Sequence, residues 1–246
     1  MEKCKILGVE VDVTNLDRAM DVISSNIDLL RGNYICVSNV HTLVMSYENE
    51  NYRNIQNTGF MVLPDGRPLS VVSRLKGHHN AERVAGPDLM GKIFATPDSG
   101  SCRHYFYGST EETLISLKKE LNVNYPELVV AGMYSPPFRE LTFDEDNEII
   151  KKINETNPDI VWVGLGAPKQ ELWMKDHAGK IGGLMIGVGA GFDYFAGNIN
   201  RAPGWMQKLS LEWFYRLIQD PGRLWKRYLV FNTKFIFLVI KESIGQ

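Results

Sequence analysis

Cysteine is scarce in this chain. Its 246 residues hold three, Cys4, Cys36 and Cys102, an odd number with no C-x-x-C pair among them. That excludes a disulfide framework and points to a reducing compartment. No uninterrupted apolar run reaches the ~20 residues that a membrane-spanning helix needs. The polar, basic start Met1-Glu2-Lys3-Cys4-Lys5 does not read as a secretory signal, and a cytoplasmic location is expected. There is no histidine–cysteine cluster with zinc spacing and no G-K-[ST] phosphate loop. Internal repeats and low-complexity tracts are also missing. With 44% hydrophobic and 23% charged residues, the chain can bury a substantial core.

Charge, by contrast, is unevenly spread. Residues 1–200 carry 19 basic and 26 acidic side chains, whereas residues 201–246 carry 8 basic and 3 acidic ones. A basic tail on an acidic body suggests that the tail meets something anionic and that nucleic acid is not a partner of the body. The first 200 residues alternate short apolar runs with helical patterns. The runs are KILGVEVDV, YICVSNV, FMVLPD, RHYFYG, ELVVAGMY, DIVWVGLG and GLMIGVGAG. The helical segment LDRAMDVISSNIDLL follows an N-cap at Thr14 or Asn15, and STEETLISLKKEL opens with a capping-box pattern, Ser109 with Glu112. Apolar strands separated by helices predict an α/β fold, a mostly parallel, Rossmann-like sheet covered on both faces. Ligands of such sheets bind at the carboxyl edge.

Several strand ends carry polar groups. Asp65 follows an apolar run directly in LPDGRP and is succeeded by a glycine, so it is either a general base or a turn residue. VSNVHT ends a strand with Ser38, Asn39 and His41, and a lone histidine is more often structural than catalytic. Arg83 in ERVAGPDL is either a diphosphate clamp or a partner for Glu82 or Asp88. GLGAPK and GVGAGF each place G-x-G after a strand, but Lys169 and Phe192 stand where a dinucleotide fingerprint requires a small residue. In GAPKQE, free backbone N–H groups at a helix start can hold a phosphate, and Gln170 can both donate to and accept from a base or sugar. A tight turn with a solvated first helical turn fits equally well. Asp144-Glu145-Asp146 has D-x-D spacing, but TFDEDNEIIKKI reads as the acidic first turn of a helix rather than a metal site.

After residue 200 the pattern changes. Trp205, Leu209, Trp213 and Leu217 recur at four-residue spacing, an amphipathic stripe. Asp220-Pro221 then marks an N-cap and the first residue of a second helix. Arg216, Arg223 and Arg227, interleaved with Trp213, Trp225 and Tyr228, fit a segment that meets anionic head groups or a diphosphate. Packing on the body and self-association are the competing readings. Two units follow: an α/β body over residues 1–200 and a helical appendage over 201–246.

Taken together, SNVHTLV, LPDGRPLSVVSRLKG, ERVAGPDLM, YSPPF, GLGAPKQELWM, GVGAGFDYFAG and RAPGWMQKLSLEWFYRLIQDPGRLWKRYL resemble the WecG/TagA/CpsF family of bacterial glycosyltransferases across nearly the whole chain. The resemblance implies an inverting, metal-independent transferase that needs no cofactor. It would move a sugar, often of the N-acetylmannosamine type, from a UDP donor to a polyprenyl-diphosphate-linked sugar at the inner membrane face. It also implies that the appendage contributes to the site at the membrane. On matching positions, Asp65 is the catalytic base, Asn39 a substrate-positioning residue, and Gln170, Glu171, Tyr134 and Asp193 donor-site residues. Arg216, Arg223 and Arg227 are the appendage's basic positions. Where some members have threonine two residues before the asparagine, this chain has Val37, which leaves Ser38 or His41 to supply that group. An NAD-dependent oxidoreductase and a non-catalytic membrane scaffold are the alternatives. The first is disfavoured by the defective fingerprints; the second leaves Asp65 without a purpose.

Overall fold

A computed structural model describes residues 1–96, 101–203, 205–206 and 211–244, with the side chains of Arg223, Lys226 and Arg227 outside the described part. Six of the seven apolar runs form one parallel sheet. Its strands are β3 (Tyr34–Ser38), β4 (Met61–Pro64), β5 (Arg103–Gly108), β6 (Val129–Tyr134), β7 (Ile160–Gly164) and β8 (Leu184–Gly187), in the spatial order β4-β3-β8-β7-β5-β6. Successive side chains of a strand point to opposite faces, and both faces are buried. Ile35, Phe106, Trp162 and Ile186 lie in one core with Leu89, Leu117 and Phe192. Cys36, Tyr107, Val161 and Met185 lie in another with Ile149 and Met174. Burial on both faces is why these strands read as continuous apolar runs.

The helices are α1 (Leu16–Ser25), α2 (Val40–Glu48), α3 (Glu50–Thr58), α4 (Arg67–Leu75), α5 (Gly86–Phe94), α6 (Glu111–Asn124), α7 (Phe143–Glu155), α8 (Lys169–Asp176), α9 (Gly191–Phe195), α10 (Glu212–Gln219) and α11 (Pro221–Ile244). Their starts follow local chemistry. Asn15 caps α1 through its side chain, and Thr142 with Glu145 forms a capping box on α7. The acidic D-x-D therefore occupies a first helical turn, as its setting suggests. At α6 the cap is Thr110, one residue later than the Ser109 pattern indicates, because Ser109 adopts a positive φ of 60° and leads into the helix rather than capping it.

The seventh run, KILGVEVDV, is not one strand. It folds back as an antiparallel hairpin of β1 (Lys3–Ile6) and β2 (Val9–Asp12). Leu7 and Gly8 both have positive φ, 50° and 85°, the signature of a two-residue hairpin turn. The hairpin lies beside the edge strand β4, where the buried Asp12 carboxylate accepts a hydrogen bond from Val62 N–H at 2.7 Å. It thereby satisfies a donor on an otherwise open sheet edge.

Among the described residues of the tail, α10 ends at Asp220 and Pro221 opens α11. Trp205 of the four-residue stripe precedes α10, which begins only after Leu211, so the stripe is not one helix. Leu209 of the four-residue stripe lies outside the described residues. α11 does not stand apart from the body: Phe235 and Leu238 are buried with Val9, Leu43, Val62 and Leu69. Glu242 accepts from Leu7 N–H (3.1 Å) and pairs with Lys76 (2.7 Å), and Lys234 pairs with Glu48.

One buried group makes stability depend on pH. His104 is fully buried, stacked on Trp162, and its Nδ1 accepts from Trp162 Nε1–H at 3.1 Å. Burial pushes its pKa down from 6.5 to about 4. The unfolded chain takes up a proton below pH 6.5 while the native state resists until about 4, so this contribution is complete above 6.5 and lost as pH falls towards 4. The loss amounts to about 3 kcal/mol. Urea unfolding at pH 7 and pH 4.5 should show it, and His104→Gln should reduce the difference.

Candidate active site

The carboxyl ends of β3, β4, β7 and β8 open into a cleft of about 470 Å³, roofed by the tail helices. Its lining takes in Val37, Asn39 and His41 from the β3 end, Asp65 to Arg67 after β4, Gly166, Ala167 and Gln170 after β7, and Val188 to Gly191 after β8. Glu212, Trp213, Arg216, Tyr228 and Phe231 come from α10 and α11. Helices α2, α4, α5, α8 and α9 all begin at this rim. Their N-terminal ends aim partial positive charge at the space, which favours an anion.

Asp65 sits on the floor. Its N–H donates to Ser38 C=O at 2.7 Å, continuing the β3–β4 ladder by one step. Gly66 follows at φ 94°, a conformation that turns the chain sharply into α4 and that a side chain at this position would strain. Burial pushes the Asp65 carboxyl above its ordinary range. Arg83 and Arg216 oppose that, and Glu212 and Asp88 reinforce it. A carboxylate made more basic is suited to taking a proton.

Arg83 is tied into a network of acids. It lies 3.9 Å from Asp65, 3.6 Å from Asp88 and 2.7 Å from Glu212, while Arg201 also pairs with Asp88. Asp88 was one of the two partners the sequence offered; Glu212 was not among them. The guanidinium thus joins the Asp65 loop, α5 and the tail. Arg216 projects from α10 over the Tyr194 ring, 5.5 Å from its centroid. Burial works against its charge, but Tyr194, Tyr228, Asp65 and Glu212 outweigh that and raise its pKa.

The remaining predicted residues separate into those at the cleft and those away from it. Asn39 lines it, with Oδ1 capping α2 through His41 N–H (3.0 Å) and Thr42 N–H (3.4 Å). His41 lines it too, edge-on to Phe231 with centroids 4.4 Å apart. Ser38 does not. One residue along the strand from Val37, it faces the other side of the sheet, where its hydroxyl donates to Gln56 Oε1. The position matching the family's threonine is therefore filled at the cleft by a Val37 side chain, and Ser38 offers no hydroxyl there. Ser38→Ala should lower stability by about 1–3 kcal/mol through the unsatisfied Gln56 and leave substrate KM unchanged, as urea unfolding and steady-state kinetics would show.

Gln170 reaches the cleft, but Glu171 is fully buried behind it. In GFDYFAG it is Tyr194, not its neighbour Asp193, that lines the cleft; Asp193 accepts from Asn198 Nδ2 at 3.2 Å. Tyr134 ends β6 at the far edge of the sheet and lines a second hollow of about 650 Å³ with Ser135, Phe138 and Arg139. Five strand steps separate it from β4, roughly 24 Å at the usual spacing. The side chains of Arg223 and Arg227 lie outside the described residues. Sequence reasoning missed Glu212 and Tyr194. Glu212 had one available signal: it is one of three acids in a tail segment that carries eight bases.

A cleft at the carboxyl edge, floored by a carboxylate and flanked by two guanidinium groups, fits transfer chemistry on an anionic substrate. The model of the glycosyl transferase WecG/TagA/CpsF family matches residues 4–246. The chain belongs to this family of glycosyltransferases. Members similar to it include proteins named N-acetylglucosaminyldiphosphoundecaprenol N-acetyl-beta-D-mannosaminyltransferase. The one from Bacillus subtilis strain 168 is 31% identical over 94% of this chain and 88% of its own. The Bacillus spizizenii protein is 30% identical over 88% and 82%. That of Staphylococcus aureus strain MW2 is 28% identical over 92% and 86%. No helix among the described residues is long and apolar enough to cross a membrane.

Proposed function

We propose that this glycosyltransferase moves an N-acetylmannosamine-type sugar from a UDP donor to the sugar of a polyprenyl-diphosphate-linked acceptor, with inversion, in the synthesis of a teichoic-acid-like or other cell-surface polymer. The observation that carries the reading is Asp65, raised in pKa on the floor of the cleft and flanked by Arg83 and Arg216. Asp65 takes the proton from the acceptor hydroxyl as that oxygen bonds to the anomeric carbon. The bond from the anomeric carbon to the diphosphate oxygen breaks on the opposite face, and UDP leaves with the electron pair. Arg216 and the helix starts at the rim offset the charge that develops there, the electrostatic role that a metal fills in other transferases. Asn39 and His41 position the acceptor, and Gln170 the donor. Tyr134 and Asp193 would serve the donor only if it extended along the sheet edge.

The names of the relatives support the acceptor and the sugar. A panel of UDP-sugars against a polyprenyl-diphosphate-GlcNAc analogue, with product linkage read by NMR, tests the whole reading. Transfer from UDP-ManNAc with inverted anomeric configuration is expected, and it should survive EDTA.

The outer faces of the tail helices suit a membrane surface. Phe214, Ile218, Trp225, Leu229, Val230, Ile236, Phe237, Ile240 and Ile244 are all exposed. Aromatic and aliphatic side chains on a segment of net positive charge are what an interfacial helix presents to anionic head groups. Peripheral attachment to the inner face brings the cleft to its lipid-linked acceptor. Flotation with anionic liposomes tests this, and self-association through the same face would appear instead as a concentration-dependent oligomer.

A further inference from the structure

We propose that Glu171 is a positioning residue: held by Tyr52, it fixes the Gln170 carboxamide so that only the carboxamide oxygen faces the cleft, which restricts the ligand there to an N–H or O–H donor. This rests on the donor-site reading above.

A glutamine amide can ordinarily present either its oxygen or its nitrogen to a ligand. Here one end is committed. Gln170 Nε2 donates to Glu171 Oε1 at 2.8 Å, and the Tyr52 hydroxyl donates to Glu171 Oε2 at 3.0 Å. Both carboxylate oxygens are engaged from known directions, and Tyr52 and Glu171 are themselves buried on α3 and α8. Burial and the adjacent Glu171 push the Tyr52 hydroxyl up in pKa, so it stays a donor. Turning the amide over would set its oxygen against a carboxylate oxygen. The backbone at the end of β8 and in the turn after it confines the group as well. A Cβ at Gly187 would come within 3.1 Å of Gln170 Nε2, and one at Gly189 within 3.6 Å of Oε1, so the amide lies close against glycine.

What remains is Gln170 Oε1. The residue is 4% exposed, the oxygen has no hydrogen-bond partner, and the side chain lines the cleft beside Gly166 and Gly189. A buried acceptor that no protein group satisfies, on a side chain that lines a substrate cleft, suits a ligand's N–H or O–H. A phosphate, being all acceptors, is repelled at this point. The diphosphate must therefore lie nearer the guanidinium groups, and Gln170 reads an N–H or hydroxyl of the nucleoside or of the sugar. Glu171, placed by its motif among the donor-binding residues, then acts through Gln170 without touching the ligand.

Calorimetry with UDP and with UDP-ManNAc, together with transfer kinetics, tests this on Glu171→Gln, Tyr52→Phe, Gln170→Ala and the Gln170→Ala/Glu171→Gln pair, with thermal melts to establish folding. Glu171→Gln should weaken donor binding and raise donor KM about tenfold, as expected for one misdirected hydrogen bond, with a much smaller change in kcat. Tyr52→Phe should act in the same direction to a lesser degree. In the Gln170→Ala background, Glu171→Gln should add less than about twofold. An effect on UDP alone assigns the donor group to the nucleoside; an effect only on UDP-ManNAc assigns it to the sugar. Equal effects of Glu171→Gln with and without Gln170 would overturn the positioning role, as would unchanged binding by a folded Glu171→Gln protein. Wild-type protein that binds no UDP-ManNAc would instead overturn the donor reading, and this inference with it.

Discussion

Asp65→Asn should reduce transfer on the order of 10²–10⁴-fold in kcat while UDP binding stays within a few-fold of wild type. The amide matches the carboxylate in size but cannot accept the proton that leaves the attacking hydroxyl. The surroundings should tolerate the change. Asp65 lies 3.9 Å from Arg83, whereas Glu212 holds that guanidinium at 2.7 Å and Asp88 at 3.6 Å. Little stability should therefore depend on the Asp65 contact, and the variant should melt close to wild type. A UDP-release assay paired with calorimetry checks both halves, and a variant that retains near wild-type turnover would remove Asp65 from the mechanism. The pH profile carries a related signature. Asp65 must be ionised to act, so activity falls as pH drops through its pKa. Glu212 helps to raise that pKa, so Glu212→Gln should move the acidic limb of kcat/KM to lower pH.

Arg216→Ala should produce the second large loss, about 10²–10³-fold in kcat, the range found when a preorganised electrostatic group is removed from a transition state. Arg216 is buried enough at the cleft for its charge to be poorly screened, and the Tyr194 ring fixes its place. Lysine would keep the charge but not the guanidinium's position over the Tyr194 ring, so Arg216→Lys should recover only part of the rate. Kinetics of the two variants at saturating donor would show it. Substitution is a cleaner probe than removing the tail. Truncation before residue 203 takes away Glu212 and Arg216 but also Phe235 and Leu238, which complete the core over β1, β2 and α2. A truncated protein should therefore lose thermal stability together with transfer.

Much of the fold was legible because parallel strands buried on both faces must be apolar along their whole length. YICVS, MVLP and IVWVG are such strands, and the polar residues that follow them necessarily fall at the carboxyl edge. The hairpin in KILGVEVDV was not legible as such. Its turn requires Leu7 to adopt a positive φ, which a leucine does not advertise. Candidate site residues were legible as a set but not in their orientations. Ser38 and Asn39 are neighbours in the chain, yet one hydroxyl bonds Gln56 across the sheet and the other side chain caps α2 at the cleft. Asp193 and Tyr194 differ in the same way, as do Gln170 and Glu171.

The order of apolar runs, glycine turns and helix caps determined by itself an α/β body with Asp65 and Gln170 at strand ends, since those signals act over a few residues and the backbone has few ways to satisfy them. Tertiary structure alone decided which side chains meet. Arg83 finds Glu212, Tyr52 finds Glu171, and α11 closes a core begun by the first hairpin. These contacts join segments far apart in the chain. Their geometry follows from how whole helices and sheet edges pack, which no local pattern of residues encodes.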